Sequence, residues 1–163
     1  MPDRVVISNT SPLLYLHQVG HLELLSRLYG QVQIPSAVQE ELRAGAELGV
    51  SVPDIDSLQW LRVQPLRNTT LLPVVIDLGS GEAEAITLAM AHPGSLLILD
   101  DILGRRIARL NRLTYTGTLG VLVKAKKQGL LPSVSPVVEA LRSTTMYLTE
   151  SLIGMVLREA GEA

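Results

Sequence analysis

Acidic and amide side chains stand at telling places in this sequence. Asn9 follows the run Val5-Val6-Ile7, Glu41 lies three residues beyond Val38, Glu82 and Glu84 open an Ala-rich run, and Asp100-Asp101 directly follow Ser95-Leu96-Leu97-Ile98-Leu99. Hard divalent cations such as Mg²⁺ or Mn²⁺ take oxygen ligands and keep waters, so a few convergent carboxylates suffice to hold one. An ion held in this way activates water and neutralises the charge that grows on a scissile phosphate, as in metal-dependent nucleases and phosphatases. Carboxylates gathered without a cation would repel one another and raise their pKa values. Other chemistries are excluded by inventory. There are no cysteines, hence no disulfides, thiolate metal sites or cysteine nucleophiles, and the three histidines (His17, His21, His92) fall in no ligand pattern. Gly117-Thr118-Leu119-Gly120 lacks the Lys-Ser/Thr ending of a phosphate-binding loop, so ATP binding is not supported.

Whether these residues meet depends on the elements that carry them. Val5-Val6-Ile7 reads as a strand, and Ser11 then caps a helix with Pro12 at its first position. Gly20 ends that helix, a second follows over Leu22–Leu28, and the alternating Gln31–Ile34 makes a second strand. A helix opens at Pro35-Ser36, Gly45–Pro53 loosens the chain, and Trp60–Val63 reads as a short strand at a sheet edge. The next helix runs from Gly79 to about His92-Pro93-Gly94. Ser95–Leu99 is a continuous apolar run, expected of a parallel strand covered on both faces. A basic helix around Arg105–Arg109, a short strand Thr114–Thr116, a helix ending at Lys124-Lys126-Lys127, and helices from about Pro136 and Thr149 complete the chain. This alternation specifies an α/β fold with a doubly wound parallel sheet.

In such folds ligands bind outside the carboxyl ends of the strands. That rule selects Asn9 and Asp100-Asp101, with Glu41 and Glu82 on helices leaning over the same edge. Helical phase distinguishes each glutamate from its neighbour. Position 82 shares the face of Ala85, Ile86, Ala89 and Met90, whereas position 84 does not. Glu41 shares a face with Val38 and Leu42, while Glu40 turns away with Ala37 and Ala44. Simpler roles stand beside these. Asp100 or Asp101 caps the following helix, Glu82 and Glu84 suit a first helical turn, and Asn9 serves a turn. Arg105, Arg109 and Arg112 share one helical face, which either binds phosphates or is a solvated basic surface; the same alternative holds for Lys124, Lys126 and Lys127.

The chain has 163 residues, 47% of them hydrophobic and 18% charged, which is enough apolar content for one folded domain over 1–163, with the last two helices (about 134–163) as a C-terminal extension. Charged, Gly or Pro residues interrupt every apolar stretch, including 69–76, before it reaches the length of a membrane span. The N-terminus lacks the features of a signal peptide, so a cytoplasmic location is expected. A net charge of −2 gives no global attraction for nucleic acid, so any nucleic-acid contact must come from basic residues clustered locally.

Five segments in order carry a family resemblance: Val6-Ile7-Ser8-Asn9-Thr10-Ser11-Pro12-Leu13, Ile34-Pro35 through Val38 to Glu41-Leu42, Gly81-Glu82-Ala83-Glu84-Ala85-Ile86, Leu99-Asp100-Asp101 through Arg105 to Ala108, and Thr116-Gly117-Thr118-Leu119-Gly120-Val121-Leu122. Together they resemble the PIN domain family, in a prokaryotic PIN-like subgroup related to VapC-type toxins. The resemblance implies a three-layer α/β/α sandwich with a central parallel sheet and a Mg²⁺- or Mn²⁺-dependent endoribonuclease. By position it implies Glu41, Glu82 and Asp101 as acids, with Asp100 beside them, and Ser11, Thr116 and Thr118 in support. It also implies a type II toxin with a cognate antitoxin protein, and a homodimer. Where active members carry a first-strand Asp, this chain has Asn9, whose amide oxygen can ligate a cation but brings no charge. The alternative is therefore a catalytically weakened RNA- or protein-binding module. A receiver-like or phosphatase domain is a weaker third reading, because its acid pair would follow the first strand.

Overall fold

The computed structural model describes residues 4–67 and 78–163; the interrupted apolar run at 69–76 and residues 1–3 of the N-terminal stretch lie outside them. Five short strands form one parallel sheet: β1 (Val6–Ser8), β2 (Val32–Ile34), β3 (Leu61–Val63), β4 (Leu96–Ile98) and β5 (Thr114–Thr116). Their order is β3-β2-β1-β4-β5, so β3 is an edge strand, as expected. The order reverses between β1 and β4, which is where a doubly wound sheet opens a crevice at the carboxyl ends of its strands. A receiver domain has the strand order 2-1-3-4-5, and this topology excludes that reading.

The strands are short, yet their alternation is strict. Val6, Leu96 and Ile98 join Val32 and Ile34 in one core, while Ile7, Leu97 and Leu99 point into the other. Both faces are covered, which explains why β4 reads as unbroken apolar sequence. The first core is closed by α1 (Thr10–Gln18), α2 (Glu23–Tyr29), α3 (Ser36–Glu47) and α6 (Thr118–Lys127), through Leu13, Leu16, Leu24, Leu25, Val38, Leu42 and Leu122 among others. The second is closed by α4 (Ser80–Met90) and α5 (Ile102–Leu110), through Ala85, Ile86, Ala89 and Ala108. Each fully buried Leu or Ile contributes about 1.5–3 kcal/mol of transfer free energy. The result is the expected α/β/α sandwich.

The chain ends in α7 (Ser135–Leu141) and α8 (Glu150–Glu159), the latter capped by Thr149 Oγ1 accepting from Leu152 N at 3.1 Å. Ile153, Val156 and Ala160 join the first core, so this extension packs into the same apolar interior. Glu162 then turns back and accepts hydrogen bonds from Lys126 Nζ, Ser133 Oγ and the amides of Val134 and Ser135 at 2.7–3.0 Å. Among the described residues, no helix is long and apolar enough to cross a membrane.

Candidate active site

The site grows from the junction of β1 and α1. Asn9, not Ser11, takes the N-cap position of α1, which starts two residues earlier than the Pro12 signal suggests. Its side chain makes no capping bond, and its Nδ2 donates to Glu82 Oε1 at 3.3 Å. Thr10 Oγ1 donates to Glu41, 3.2 Å from Oε1. Ser11 Oγ donates to Asp100 Oδ2 at 3.1 Å. Three consecutive residues thus each hold a different carboxylate, one from α3, one from α4 and one from the end of β4.

Asp100 is the best fixed of the acids. Besides Ser11, it accepts from Thr118 N at 2.8 Å and Thr118 Oγ1 at 2.7 Å, at the first turn of α6. A carboxylate at a helix N-terminus is also favoured by the helix dipole. Gly117 must lack a side chain here, since a Cβ would stand 2.7 Å from Asp100 Oδ1. Glu41 is less comfortable. Burial first, and then the neighbouring carboxylates of Glu82 and Glu84, push its pKa above the usual range, partly offset by Thr10 and by the amide of Gly81. α3 and α4 approach closely because Gly81 leaves space for the Glu41 carboxylate, and because Glu84 Oε1 accepts from Ala37 N at 3.1 Å.

Several expectations need correction. Asp101 does not join the site: it is exposed, and its Oδ2 accepts from Gly104 N at 2.6 Å as the N-cap of α5. The first aspartate after β4 turns to Ser11 and Thr118 and the second caps the helix. Glu84 is half-buried rather than turned out, and Ala37 is buried beneath α4, although Glu40 and Ala44 are exposed as phase required. Arg105 and Arg109 share one side of α5, both meeting Tyr115, but Arg112 does not continue it. Arg105 turns toward Asp100, Arg109 Nη2 donates to Tyr115 Oη at 2.9 Å, and Arg112 lies beyond the end of α5 with φ +58°. Lys124 stacks on Tyr29 and Lys126 pairs with Glu162, at the end of α6 remote from Asp100. Thr116 lies at the end of β5, its carbonyl accepting from Leu99 N at 2.9 Å, and its Oγ1 fills the space beside Gly120. Thr10, Gly81 and Tyr115 are participants the residue-type search missed; the hydroxyl between Asn9 and Ser11 and the glycine preceding Glu82 were the available signals.

Four acids do not converge as a single cluster. Among the described residues, no three His, Asp or Glu side chains are close enough together to hold a metal ion by themselves. The donors are carboxylates supplemented by an amide and hydroxyls, all hard oxygens, which suits a cation that retains waters. One observation points the same way. Asn9 is fully buried and its Oδ1 has no hydrogen-bond partner, although burial of an unpaired acceptor costs about 1–3 kcal/mol. A divalent cation ligated by Asn9 Oδ1 would satisfy it, so the residues present fit such an ion.

Comparison with known proteins agrees with this architecture. A chain described as a PilT N-terminus domain protein from the hyperthermophilic archaeon Sulfolobus solfataricus P2 superposes with a TM-score of 0.51 at 18% identity, over 90% of this chain and 98% of that one. At that identity the likeness speaks for the fold. No curated protein matches. A family model described as a PIN domain matches residues 5–162. The chain therefore belongs to the PIN domain family, generally a nuclease fold whose members typically use divalent metal ions.

Proposed function

We propose that this protein is a metal-dependent endoribonuclease whose pocket is formed by Asn9, Glu41, Glu82 and Asp100. The observation that carries the reading is the triplet Asn9-Thr10-Ser11, which ties Glu82, Glu41 and Asp100 to the carboxyl ends of β1 and β4 around an unpaired, buried amide oxygen. A bound Mg²⁺ or Mn²⁺ supplies water activation and charge neutralisation at the scissile phosphate. The side chains do the positioning. Thr118 and Ser11 fix the Asp100 carboxylate, Thr10 orients Glu41, and Asn9 holds Glu82 while offering Oδ1 to the ion. Cleavage of a mixed-sequence RNA in Mg²⁺ or Mn²⁺, abolished by EDTA and by Asp100→Asn, is the expected result; cleavage insensitive to both overturns the reading.

Asn9 also supports a second reading. Its amide gives Glu82 a neutral partner where a carboxylate would have added charge to the pocket, which weakens cation affinity. In that case the chain binds RNA or protein without turnover. On its similarity to VapC-type toxins, we extend the nuclease reading to the toxin of a type II pair, active as a homodimer and silenced by an antitoxin segment laid over the acidic pocket. Growth arrest on expression, relieved by Asp100→Asn and by co-expression of a neighbouring small reading frame, tests the toxin role.

A further inference from the structure

We propose that Arg105 is the residue through which this pocket grips an RNA phosphate, and that Tyr115 is the positioning residue that presents it; the inference rests on the nuclease reading above and names its substrate contact. Arg105 Nε donates to Leu99 O at 3.0 Å, and its guanidinium carbon stands 5.6 Å from the centroid of the Tyr115 ring. Tyr115 is itself held from the other side, its Oη accepting from Arg109 Nη2 at 2.9 Å. Gly117 provides the room, because a Cβ there would overlap Arg105 Nη2. The side chain is thus fixed at its Nε edge and over its face.

Its other edge donates no hydrogen bond, although Nη2 packs against Gly117. Nη2 lies 4.0 Å from Asp100 Oδ1, beyond hydrogen-bond reach, and Asp100 already accepts three hydrogen bonds from Ser11 and Thr118. Among the described residues, Nη1 and Nη2 donate to no protein group, and the side chain is 36% exposed. A planar guanidinium whose Nη donors are unused suits capture of a phosphate, and its rigid mounting lowers the entropy lost on binding. The electrostatics favour such a group. A polyanion approaching Glu41, Glu82 and Asp100 meets like charge, and Arg105 is the cation mounted beside them, whereas Arg106 is exposed on the same helix and holds no contact with the site.

The test is equilibrium binding of a fluorescein-labelled, single-stranded phosphorothioate RNA in Mg²⁺ as a function of salt, with probe integrity checked on a denaturing gel. Arg105→Ala is expected to weaken binding about tenfold or more and to flatten the plot of log K against log salt by about 0.7, the loss of one phosphate contact. Arg105→Lys should keep the slope and lose affinity, since the charge remains and the fork is gone. Tyr115→Leu should weaken binding about threefold or more, and Tyr115→Phe, which keeps the ring and loses only the hydroxyl that Arg109 holds, should weaken it less. Thermal melting checks that each variant is folded, and Arg105→Lys serves if Arg105→Ala is not. Equal flattening by Arg105→Ala and Arg106→Ala would mean a diffuse basic surface and would overturn the proposal. So would an Arg105→Lys variant indistinguishable from wild type. The two readings fail separately: a wild type that cleaves RNA while Arg105→Ala leaves the slope unchanged sinks only this inference, and one that binds through Arg105 without cleaving sinks only the catalysis. A wild type that binds no RNA sinks both.

Discussion

The Glu41 carboxylate on α3 occupies the space in which a Cβ on Gly81 of α4 would stand. Gly81→Ala therefore sets two effects against each other. Alanine in a helix is favoured over glycine by about 1 kcal/mol, and a carboxylate at the end of a flexible side chain can swing away at small cost. Global stability should change by less than about 1 kcal/mol, while Glu41 is displaced and cleavage falls about tenfold or more. Urea denaturation read beside the cleavage rate checks this; a variant with full activity would mean that Glu41 has no part in the site.

Asp100 and Asp101 are adjacent in sequence and separate in role. Asp100→Asn should abolish cleavage with the fold intact. Asp101→Asn should be near wild type, because asparagine caps a helix as well as aspartate, and Asp101→Ala should cost about 1 kcal/mol of stability. Activity and melting measured on all three variants test the assignment, and loss of activity in Asp101→Asn would reverse it.

Asn9→Asp removes the amide that donates to Glu82 and puts a second carboxylate in its place. In EDTA the variant should be less stable by about 1–3 kcal/mol. In Mn²⁺ it should recover, with cation affinity raised about tenfold, because each added ligand charge tightens such sites. Unchanged stability in EDTA and unchanged affinity would show that the acids do not share a site with position 9.

Glu41 and Glu162 carry opposite pH signatures. The Glu162 pKa is lowered to about 2, first by the Val134 amide and then by Lys126. Its contribution is complete above the ordinary glutamate value, declines as pH falls below it, and is gone near the folded value of about 2. The Glu41 pKa is raised by burial, so its ionisation opposes folding as pH rises through the ordinary glutamate value. In EDTA, Glu41→Gln should melt higher than wild type at neutral pH and converge with it in acid; Glu162→Gln should melt lower at neutral pH and also converge in acid. Melting curves across pH test both signs.

The sheet and most helices are legible in the sequence because period and punctuation agree. The unbroken Ser95–Leu99 run, the helix start at Gly79 and the carboxyl-end rule lead to the sheet edge where β1 and β4 end. Asn9, Glu41, Glu82 and Asp100 are brought to it. What was not legible depends on single hydrogen bonds. Periodicity does not say which of two successive aspartates faces inward, since the choice is made by the Thr118 amide on one side and the Gly104 amide on the other. Phase on α3 could not foresee that α4 would cover Ala37, and the arginine face assumed a helix that in fact ends at Leu110.

The central claim is a cation site built on Asn9, Glu41, Glu82 and Asp100, and its most direct test is calorimetric titration of Mg²⁺ and Mn²⁺ into wild type and Glu82→Gln, with RNA cleavage followed on the same samples. Binding and cleavage should both be present in wild type and both fall in the variant. Wild type that takes up neither ion would contradict the account and leave these carboxylates as clasps between helices.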